Sequence, residues 1–248
     1  MLIGSKILHF SEIDSTMDYC KKLALSGEPE GTIVSAEFQN TGRGRFSRKW
    51  ISPYGANIQM SILLRPKSKH LPYLNMAASL AICETTEIIT KATAHIKWPN
   101  DVQVNNKKLA GILIESSISG NQVDYSILGI GLNVNMDIQN HPDINQIATS
   151  LKNINDNPVD KNTVLKILYE KLNYYYMKVK RDESLTDQWA SRITTIGENV
   201  TISFPGTARE HITGKAEKIL QDGSIQIALN NGTIFNASAG EISILNNN

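Results

Sequence analysis

The residues best suited to chemistry lie in one short basic segment, GRGRFSRKW, at positions 42–50. Its glycines let backbone N–H groups approach an anion closely, and its arginines can form paired hydrogen bonds with phosphate or carboxylate oxygens. Arg43, Arg45 and Arg48 therefore suit a ligand that carries several anionic oxygens. Nucleic acid, a small phosphate-bearing ligand and plain solvent are the three candidate partners for this charge.

The charge balance of the whole chain favours the small ligand. Lys and Arg total 25 and Asp and Glu total 24 among 248 residues, whereas proteins that bind polyanions usually carry a clear basic surplus. Cys20 and Cys83 fit neither a disulfide framework nor a metal-binding spacing. The N-terminal segment is too acidic for a signal peptide, and no apolar run approaches the roughly 20 residues that span a bilayer. We therefore expect a cytoplasmic protein.

The segment KWPND, at 97–101, presents polar groups at a rigid turn. Because Pro99 restricts its own backbone and that of Trp98, Asn100 and Asp101 should have fixed positions. An aspartate there can hold Mg²⁺ or accept from a ribose hydroxyl, and an asparagine can donate to an oxyanion. An ordinary turn is the alternative interpretation.

Two further segments place reactive or small residues on apolar strands. In KKLAGILIE, Lys108 could neutralise a carboxylate or an α-phosphate if it points inward, or be a solvated edge charge if it points outward. Gly111 on the same strand would let a flat ligand lie close to the backbone. GIGLNVN, at 129–135, has two glycines in an apolar strand but lacks the strand-to-helix context of a dinucleotide fingerprint.

These segments need elements that position them. Asp14 or Ser15 can cap a helix that ends at Gly27, and the strand GTIVSAEFQ then leads into the basic segment. Apolar periodicity predicts long helices over 71–91 and from Asp160 onward. Tight-turn residues between the intervening strands predict sequential hairpins. We therefore expect an α+β fold, with a mainly antiparallel or mixed sheet and the helices packed on one face.

The character of the sequence changes after Arg192, where short strands alternate with Gly and Asn turns. This pattern predicts a small C-terminal β-barrel or sandwich. The expected domains are residues 1–195 and 196–248. Tyr174, Tyr175 and Tyr176 lie on a predicted helix, where consecutive side chains diverge, so we interpret them as packing residues and not as a base-stacking platform.

In this order the segments resemble the biotin protein ligase family, enzymes that attach biotin to carboxylase carrier proteins. The resemblance is carried by DSTMD, AEFQNTGRGRFSRKW, SPYGAN, KWPNDVQVNNKKLAGILIE and GIGLNVN, and it continues through GKAEKILQDGSIQI and GEISI. It implies a catalytic domain like those of class II aminoacyl-tRNA synthetases and biotin–lipoate ligases, followed by a small β-barrel domain.

The resemblance also implies roles for individual residues. Those expected to bind biotin are Ser15, Thr16, Gln39, Arg43, Lys108 and Gly111, the first three through the ureido ring. Those expected to bind the nucleotide are Arg43, Arg45, Arg48, Trp50, Asn100, Asp101 and Asn133. Lys108, Arg45 and Asp101 are the expected catalytic residues, with Asp101 in the Mg²⁺ region. Part of the Asn-rich stretch after residue 135 would order over the adenine.

Two features depart from the family pattern. The third glycine of the family's ligand-binding loop is Ser47 here, and serine tolerates positive φ poorly, so the loop is expected to close in a slightly altered shape. The DSTMD motif begins at residue 14, which leaves no room for the helix-turn-helix domain of bifunctional members. DNA binding is therefore not expected.

The implied reaction uses ATP, Mg²⁺ and biotin to form biotinyl-5′-AMP, and then transfers the biotinyl group to a lysine of a biotin carboxyl carrier protein. A lipoate or octanoate ligase of the same fold is one alternative, and a non-catalytic nucleic-acid-binding module is another. The polar residues Ser15, Thr16 and Gln39 favour a ring with hydrogen-bonding groups over a plain acyl chain. A homodimer is a further expectation, formed through a sheet edge near GIGLNVN.

Overall fold

The computed structural model describes residues 1–208 and 211–245. Seven strands form a large sheet: β1 (Lys6–Ile13), β2 (Thr32–Gln39), β3 (Ile58–Leu64), β4 (His95–Lys97), β5 (Asp101–Val104), β6 (Lys107–Ser119) and β7 (Gln122–Leu132). Their order is β1-β2-β3-β7-β6-β5-β4, and only the β1–β2 pair is parallel. The predicted mixed, mainly antiparallel sheet is confirmed.

Five α-helices accompany this sheet in the part of the chain that the structure describes: α1 (Thr16–Leu25), α2 (Leu71–Thr90), α3 (Leu151–Asn155), α4 (Lys161–Lys180) and α5 (Thr186–Ala190). Ser15 caps α1 by accepting from the backbone N–H of Asp18, and Asp160 caps α4 through the N–H groups of Asn162 and Thr163. Both caps satisfy donors that have no partner inside a helix. None of these helices is long and apolar enough to cross a membrane.

The helices cover both faces of the large sheet. The apolar side chains of α2 and α4 pack with Ile62 and Leu128, whereas Met17 and Cys20 of α1 pack with Leu63 on the opposite face. Neighbouring strand residues point to opposite faces, so Ile62 and Leu63 belong to different layers. The expectation of helices on one face is therefore wrong for α1. Strand β3 (IQMSILL) is buried at every position, including the polar residues Gln59 and Ser61, and this complete burial reflects the coverage of both faces.

The C-terminal region forms a second, antiparallel sheet. Its strands are β8 (Asn199–Ser203), β9 (Ile212–Ile219), β10 (Ile225–Leu229), β11 (Ile234–Ala237) and β12 (Glu241–Ile244), in the order β11-β10-β9-β8-β12. Among the described residues β11 and β12 do not pair, so this unit is an open small sheet instead of a closed barrel.

The two sheets share one continuous apolar core. Trp189 of α5, Val200 of β8 and Ile225 of β10 belong to the same buried cluster as the α2 side chains. The Trp98 indole Nε1 also donates to the Gly223 carbonyl across the junction, at 3.0 Å. The domain boundary near residue 195 stays a prediction.

The expected dimer edge near GIGLNVN is wrong. Strand β7 lies inside the sheet, where β3 and β6 pair with its two sides, so its backbone groups are already hydrogen bonded. Tyr175 and Tyr176 are buried, as expected of packing residues, while Tyr174 is exposed.

Candidate active site

A cavity of about 360 Å³ opens on the face of the large sheet that carries α1. All twelve residues that the resemblance assigned to ligand binding line it: Ser15, Thr16, Gln39, Arg43, Arg45, Arg48, Trp50, Asn100, Asp101, Lys108, Gly111 and Asn133. They come from distant parts of the chain, and its volume lies in the usual range for small-ligand sites. The structure therefore brings the predicted residues together; their individual roles remain predictions.

The floor of the cavity is made of glycines on adjacent strands. Gly131 of β7 lies directly opposite Gly111 of β6, and Gln59 of β3 continues the same row. A β-carbon at Gly131 would lie 2.5 Å from the Trp50 indole, and one at Gly129 would lie 2.7 Å from the Met17 sulfur. Residues two apart on a strand share a face, so Gly129 and Gly131 both face the cavity. Because neither glycine has a side chain, a slot is left above this part of the strand.

Four polar side chains form a hydrogen-bonded chain at one end of this slot. The backbone N–H and the hydroxyl of Thr16 donate to the Gln39 Oε1, at 2.8 and 3.0 Å. Gln39 Nε2 donates to Gln59 Oε1 at 2.9 Å, and the hydroxyls of Thr16 and Ser61 lie 2.8 Å apart. Gln39 Oε1 is thus saturated by Thr16. The second N–H of the Gln39 amide is left to donate to a ligand.

Ser15 is held as a donor by its neighbours. Its Oγ accepts from the Asp18 backbone N–H and from an Arg43 guanidinium nitrogen, both at 3.2 Å. With both lone pairs engaged, the Ser15 O–H is left to donate, which suits a ligand carbonyl oxygen. Arg43 is itself bound by the Asp18 carboxylate at 2.8 and 2.9 Å and by Glu115 at 3.2 Å. Hydrogen bonding from Arg43 lowers the pKa of Asp18 and raises that of Arg43.

The other two arginines of the basic segment bind the C-terminal sheet. Arg45 donates to the Asn100 side-chain oxygen at 3.0 Å and to the Gly240 carbonyl at 3.1 Å. Burial lowers the pKa of Arg45. Arg48 forms a two-pronged ion pair with Glu241 at 2.5 and 2.7 Å. All three arginines are therefore bound to protein groups around the cavity; Arg43 and Arg45 are partly buried, whereas Arg48 is exposed.

Lys108 and Asp101 form an ion pair at the cavity wall. The Lys108 ammonium lies 2.8 Å from the Asp101 Oδ1 and 5.8 Å from the centre of the Trp50 ring. This Asp101 oxygen is buried, and Lys108 is its one polar partner among the described residues. The Lys108 backbone is fixed by bonds with Ile147 and Thr149, which bring the Asn-rich stretch to the cavity. Lys108 thus points inward, the first of the two alternatives.

Asn133 and Asn100, the remaining residues predicted to bind the nucleotide, use their side-chain amides in hydrogen bonds within the protein. Asn133 is buried, its side-chain nitrogen donates to the Thr149 carbonyl at 3.0 Å, and its oxygen is 3.4 Å from the Asn57 amide. Asn100 donates to the Ile112 carbonyl at 2.7 Å while it accepts from Arg45. Their amides therefore hold the cavity wall, while each residue still lines the cavity.

In the basic loop between Gly44 and Trp50, Ser47 has the positive φ that serine tolerates poorly. Its φ is +57°, and the preceding Phe46 has φ +55°. This is the left-handed region, which glycine occupies without a steric penalty and serine does not.

Several lining residues were not predicted from the sequence. Those on β3, β6 and β7 are Gln59, Ser61, Ile112, Gly129 and Gly131, and Glu241 comes from β12. Ile144, Ile147 and Ala148 also line the cavity and belong to the Asn-rich stretch after residue 135, whose approach to the ligand was expected. Strand periodicity could have found Gly129 and Gly131, which share a face with Gly111 once the register is known. Glu241 carries no local signal, because only the tertiary fold brings β12 to the basic loop.

Comparison with known proteins decides the family. Residues 10–133 match the model of the "Biotin/lipoate A/B protein ligase family", which is half of the chain. The "Bifunctional ligase/repressor BirA" of Bacillus subtilis is 33% identical over 237 residues, covering 93% of this chain and 72% of that protein. The chain belongs to the biotin/lipoate A/B protein ligase family. The prediction of a ligase of the biotin protein ligase type is confirmed at this level.

Other members extend the comparison. The "Biotin--[acetyl-CoA-carboxylase] ligase" of Paracoccus denitrificans is 32% identical over 80% of this chain and 85% of its own length. A Bacillus spizizenii BirA is 37% identical over 71% of this chain, which spans 56% of that protein. The structure of a biotin protein ligase from Aquifex aeolicus in complex with biotin and ATP superposes with a TM-score of 0.81 at 30% identity, covering 97% of this chain and 99% of that one. The predicted fold class is thereby confirmed.

Proposed function

We propose that this family member activates biotin with Mg-ATP as biotinyl-5′-AMP and transfers the biotinyl group to a lysine of a biotin carboxyl carrier protein, in the cytoplasm. The observation that carries the proposal is one cavity lined both by a glycine-floored slot with fixed donors and by Arg45 and Lys108. The slot suits a flat ring with a carbonyl, and the cations suit a carboxylate and phosphates.

The polar end of the slot supports biotin over lipoate. Ser15 and Gln39 each present a donor, since their acceptor sites are satisfied by protein groups. A ureido carbonyl can accept both of these bonds, whereas the sulfur-containing end of a lipoyl chain offers only weak acceptors. Leaving these donors of the buried Ser15 and the partly buried Gln39 unpaired would disfavour the plain acyl chain.

The first step joins the biotin carboxylate to the α-phosphorus of ATP. A carboxylate oxygen attacks phosphorus, the new P–O bond forms, and the bond to pyrophosphate breaks with the electron pair leaving on pyrophosphate. Negative charge grows on the phosphoryl oxygens in this step, so fixed cations accelerate it. Lys108 and Arg45 supply those cations, and Ile144 and Ile147 offer an apolar wall for the adenine.

Asp101 is the group that fits Mg²⁺. Mg²⁺ in nucleotide sites is held by one or two carboxylates together with phosphate oxygens, and Asp101 offers a buried carboxylate oxygen whose one described contact is Lys108. No cluster of three metal-ligating side chains occurs within residues 1–208 and 211–245. Mg²⁺ would therefore arrive with ATP and neutralise phosphate charge next to Asp101.

The second step moves the acyl group to nitrogen. A lysine amine attacks the acyl carbon, the amide bond forms, and the bond between the acyl carbon and the phosphate oxygen breaks to release AMP. The amine must lose a proton. Among the described residues, Asp101 and Glu241 are the carboxylates that line the cavity. Arg48 binds both oxygens of Glu241, whereas Lys108 contacts one oxygen of Asp101. Asp101 is therefore the candidate acceptor of this proton.

The direct test is incubation with ATP, Mg²⁺ and labelled biotin, followed by mass analysis of the bound small molecule and measurement of pyrophosphate. We expect biotinyl-5′-AMP and one equivalent of pyrophosphate. Lipoate added in excess should not displace the labelled biotin. Lipoyl-AMP as the preferred product would reassign the substrate, and salt-sensitive binding of RNA or DNA without ATP turnover would contradict the enzyme assignment.

A further inference from the structure

A second cavity, of about 300 Å³, adjoins the active-site cavity between the two sheets. Arg45, Asn100 and Ile112 line both cavities, so the two spaces meet at the phosphate-binding side chains. Its other walls come from the first turns of α2, from α5, from the β9–β10 turn and from the segment between β11 and β12. The second cavity is therefore formed jointly by the large sheet with its helices and by the C-terminal sheet.

The wall of the second cavity combines apolar surface with one unsatisfied acceptor. Met76 and Trp189 are buried beneath it, and Leu71 and Ile114 add further aliphatic surface. Asn75 also lines it, donating through Nδ2 to the Pro99 carbonyl at 2.6 Å. The Asn75 Oδ1 is buried and has no hydrogen-bond donor in the described chain. Such an orphaned acceptor is uncommon in folded proteins and fits a site that a donor occupies at another stage.

The proposed two-step reaction needs a third reactant at this place. Biotin and ATP belong to the first cavity, but the acceptor is a polypeptide whose lysine amine must reach the acyl carbon there. Neighbouring residues of an extended chain lie about 3.3–3.6 Å apart along it. A polypeptide that delivers its lysine past Arg45 therefore carries the side chains next to that lysine into the adjoining space.

Resting on the proposed function, we propose that the second cavity is an acceptor subsite, which binds an apolar side chain close in sequence to the target lysine of the carrier protein. The Asn75 Oδ1 accepts a backbone N–H of that segment. Burial of the apolar side chain supplies affinity, and the hydrogen bond to the Asn75 side-chain amide orients the carrier segment. Arg45, which lines both spaces, adjoins the adenylate on one side and the acceptor on the other.

The experiment fills the second cavity without changing the first. Ser238 and Ala239 are exposed residues that line only the second cavity, so Ser238→Trp and Ala239→Phe add bulk there. Asn236→Trp adds the same indole nearby, on the exposed face of β11 outside both cavities, and is the matched control. Three rates are measured: biotin-dependent ATP–pyrophosphate exchange, biotinyl transfer to hydroxylamine, and transfer to a purified unbiotinylated carrier domain of acetyl-CoA carboxylase.

We expect both filling variants to keep wild-type exchange and hydroxylamine reactivity while the KM for the carrier domain rises at least tenfold. The control should match the wild type in all three assays. A carrier-domain KM within twofold of wild type in both variants would overturn the subsite. So would an altered oligomeric state with unchanged transfer, because a second copy would then be the occupant. Failure of the proposed function is distinguishable, since the wild type would then lack biotin-dependent exchange.

Discussion

The Arg43 guanidinium donates to both Asp18 carboxylate oxygens, at 2.8 and 2.9 Å, and to the Ser15 hydroxyl oxygen at 3.2 Å. The first residues of α1 thus hold an arginine from the basic loop, and that arginine in turn orients a candidate biotin-binding hydroxyl. Asp18 touches no ligand in this arrangement and acts as a positioning residue through Arg43.

Asp18→Asn should weaken biotin binding selectively, because the two-pronged pair to Arg43 is lost and Ser15 is less firmly held as a donor. The pair is partly exposed, and such pairs contribute about 0.2–1 kcal/mol, so the KM for biotin should rise roughly two- to fivefold. The KM for ATP and the kcat of adenylation should not change. Asp18→Glu should restore part of the affinity, and Glu12→Gln, an exposed change on β1, is the matched control. An unchanged biotin KM in Asp18→Asn would remove Asp18 from the site.

Lys108→Ala should slow adenylation by about 100- to 1,000-fold, the typical loss of one charge-stabilising donor. The substitution also leaves Asp101 without its ion-pair partner. Lys107→Ala removes the preceding, exposed lysine and should leave the rate unchanged. The measurement is biotin-dependent pyrophosphate exchange, with circular dichroism to verify folding. Wild-type exchange in Lys108→Ala would exclude Lys108 from catalysis.

Arg45→Ala should release the adenylate faster. Arg45 is held beside the cavity by its bonds to Asn100 and the Gly240 carbonyl. The loss of one hydrogen bond between this charged group and the adenylate costs about 1.5–3 kcal/mol, so we expect roughly 10- to 100-fold faster dissociation. Dissociation of preformed biotinyl-5′-AMP is followed by chase with unlabelled biotin and ATP. An unchanged rate would show that the basic loop does not act as a lid.

Ser47→Gly should relieve the positive φ of the loop. A left-handed non-glycine residue costs roughly 1–2 kcal/mol, partly offset by the greater chain entropy of glycine. The adenylate should therefore dissociate roughly threefold more slowly from Ser47→Gly than from the wild type. Ser47→Ala keeps the strain and serves as the comparison. Faster release from Ser47→Gly than from Ser47→Ala would show that the strained loop shape is itself needed to hold the ligand.

Asp182 should make folding stability depend on pH in the acid range. Hydrogen bonds from Lys69 and His70 lower the pKa of Asp182 to about 2 from its usual value near 3.8. A carboxyl with a depressed folded-state pKa stabilises the fold above its unfolded pKa and loses that contribution as pH falls from about 3.8 to 2. Asp182→Asn should therefore be less stable than wild type at pH 6, by a margin that narrows below pH 4. Urea titrations across this range measure it, and a pH-independent difference would contradict the assignment.

The segments that line the cavity could be predicted because each carries its own local chemistry. Three such features can be recognised before the fold is known: arginines between glycines, a proline-fixed Asn-Asp turn, and a lysine at the start of an apolar strand. The cap of α1, expected at Asp14 or Ser15 and found at Ser15, could be recognised for the same reason, since capping depends on side chains within a few residues.

What the sequence concealed depends on register and tertiary packing. Nothing near Glu241 or Asp18 indicates a partner in the basic loop, because those contacts span 193 and 25 residues of chain. The internal position of β7 was missed since hairpin order does not reveal that β3 pairs with its other side. The side of the sheet taken by α1 was equally hidden, because its apolar stripe would fit either face.

The glycine floor has a consequence for how the site can be lost. A recess defined by absent atoms is closed by the smallest possible substitution: a single added methyl at Gly131 meets the Trp50 ring at 2.5 Å. The charged walls consist of long side chains that can rearrange around a replacement. Among descendants of this protein, we therefore expect substitutions to accumulate at the charged wall residues well before they appear at the glycines of the floor.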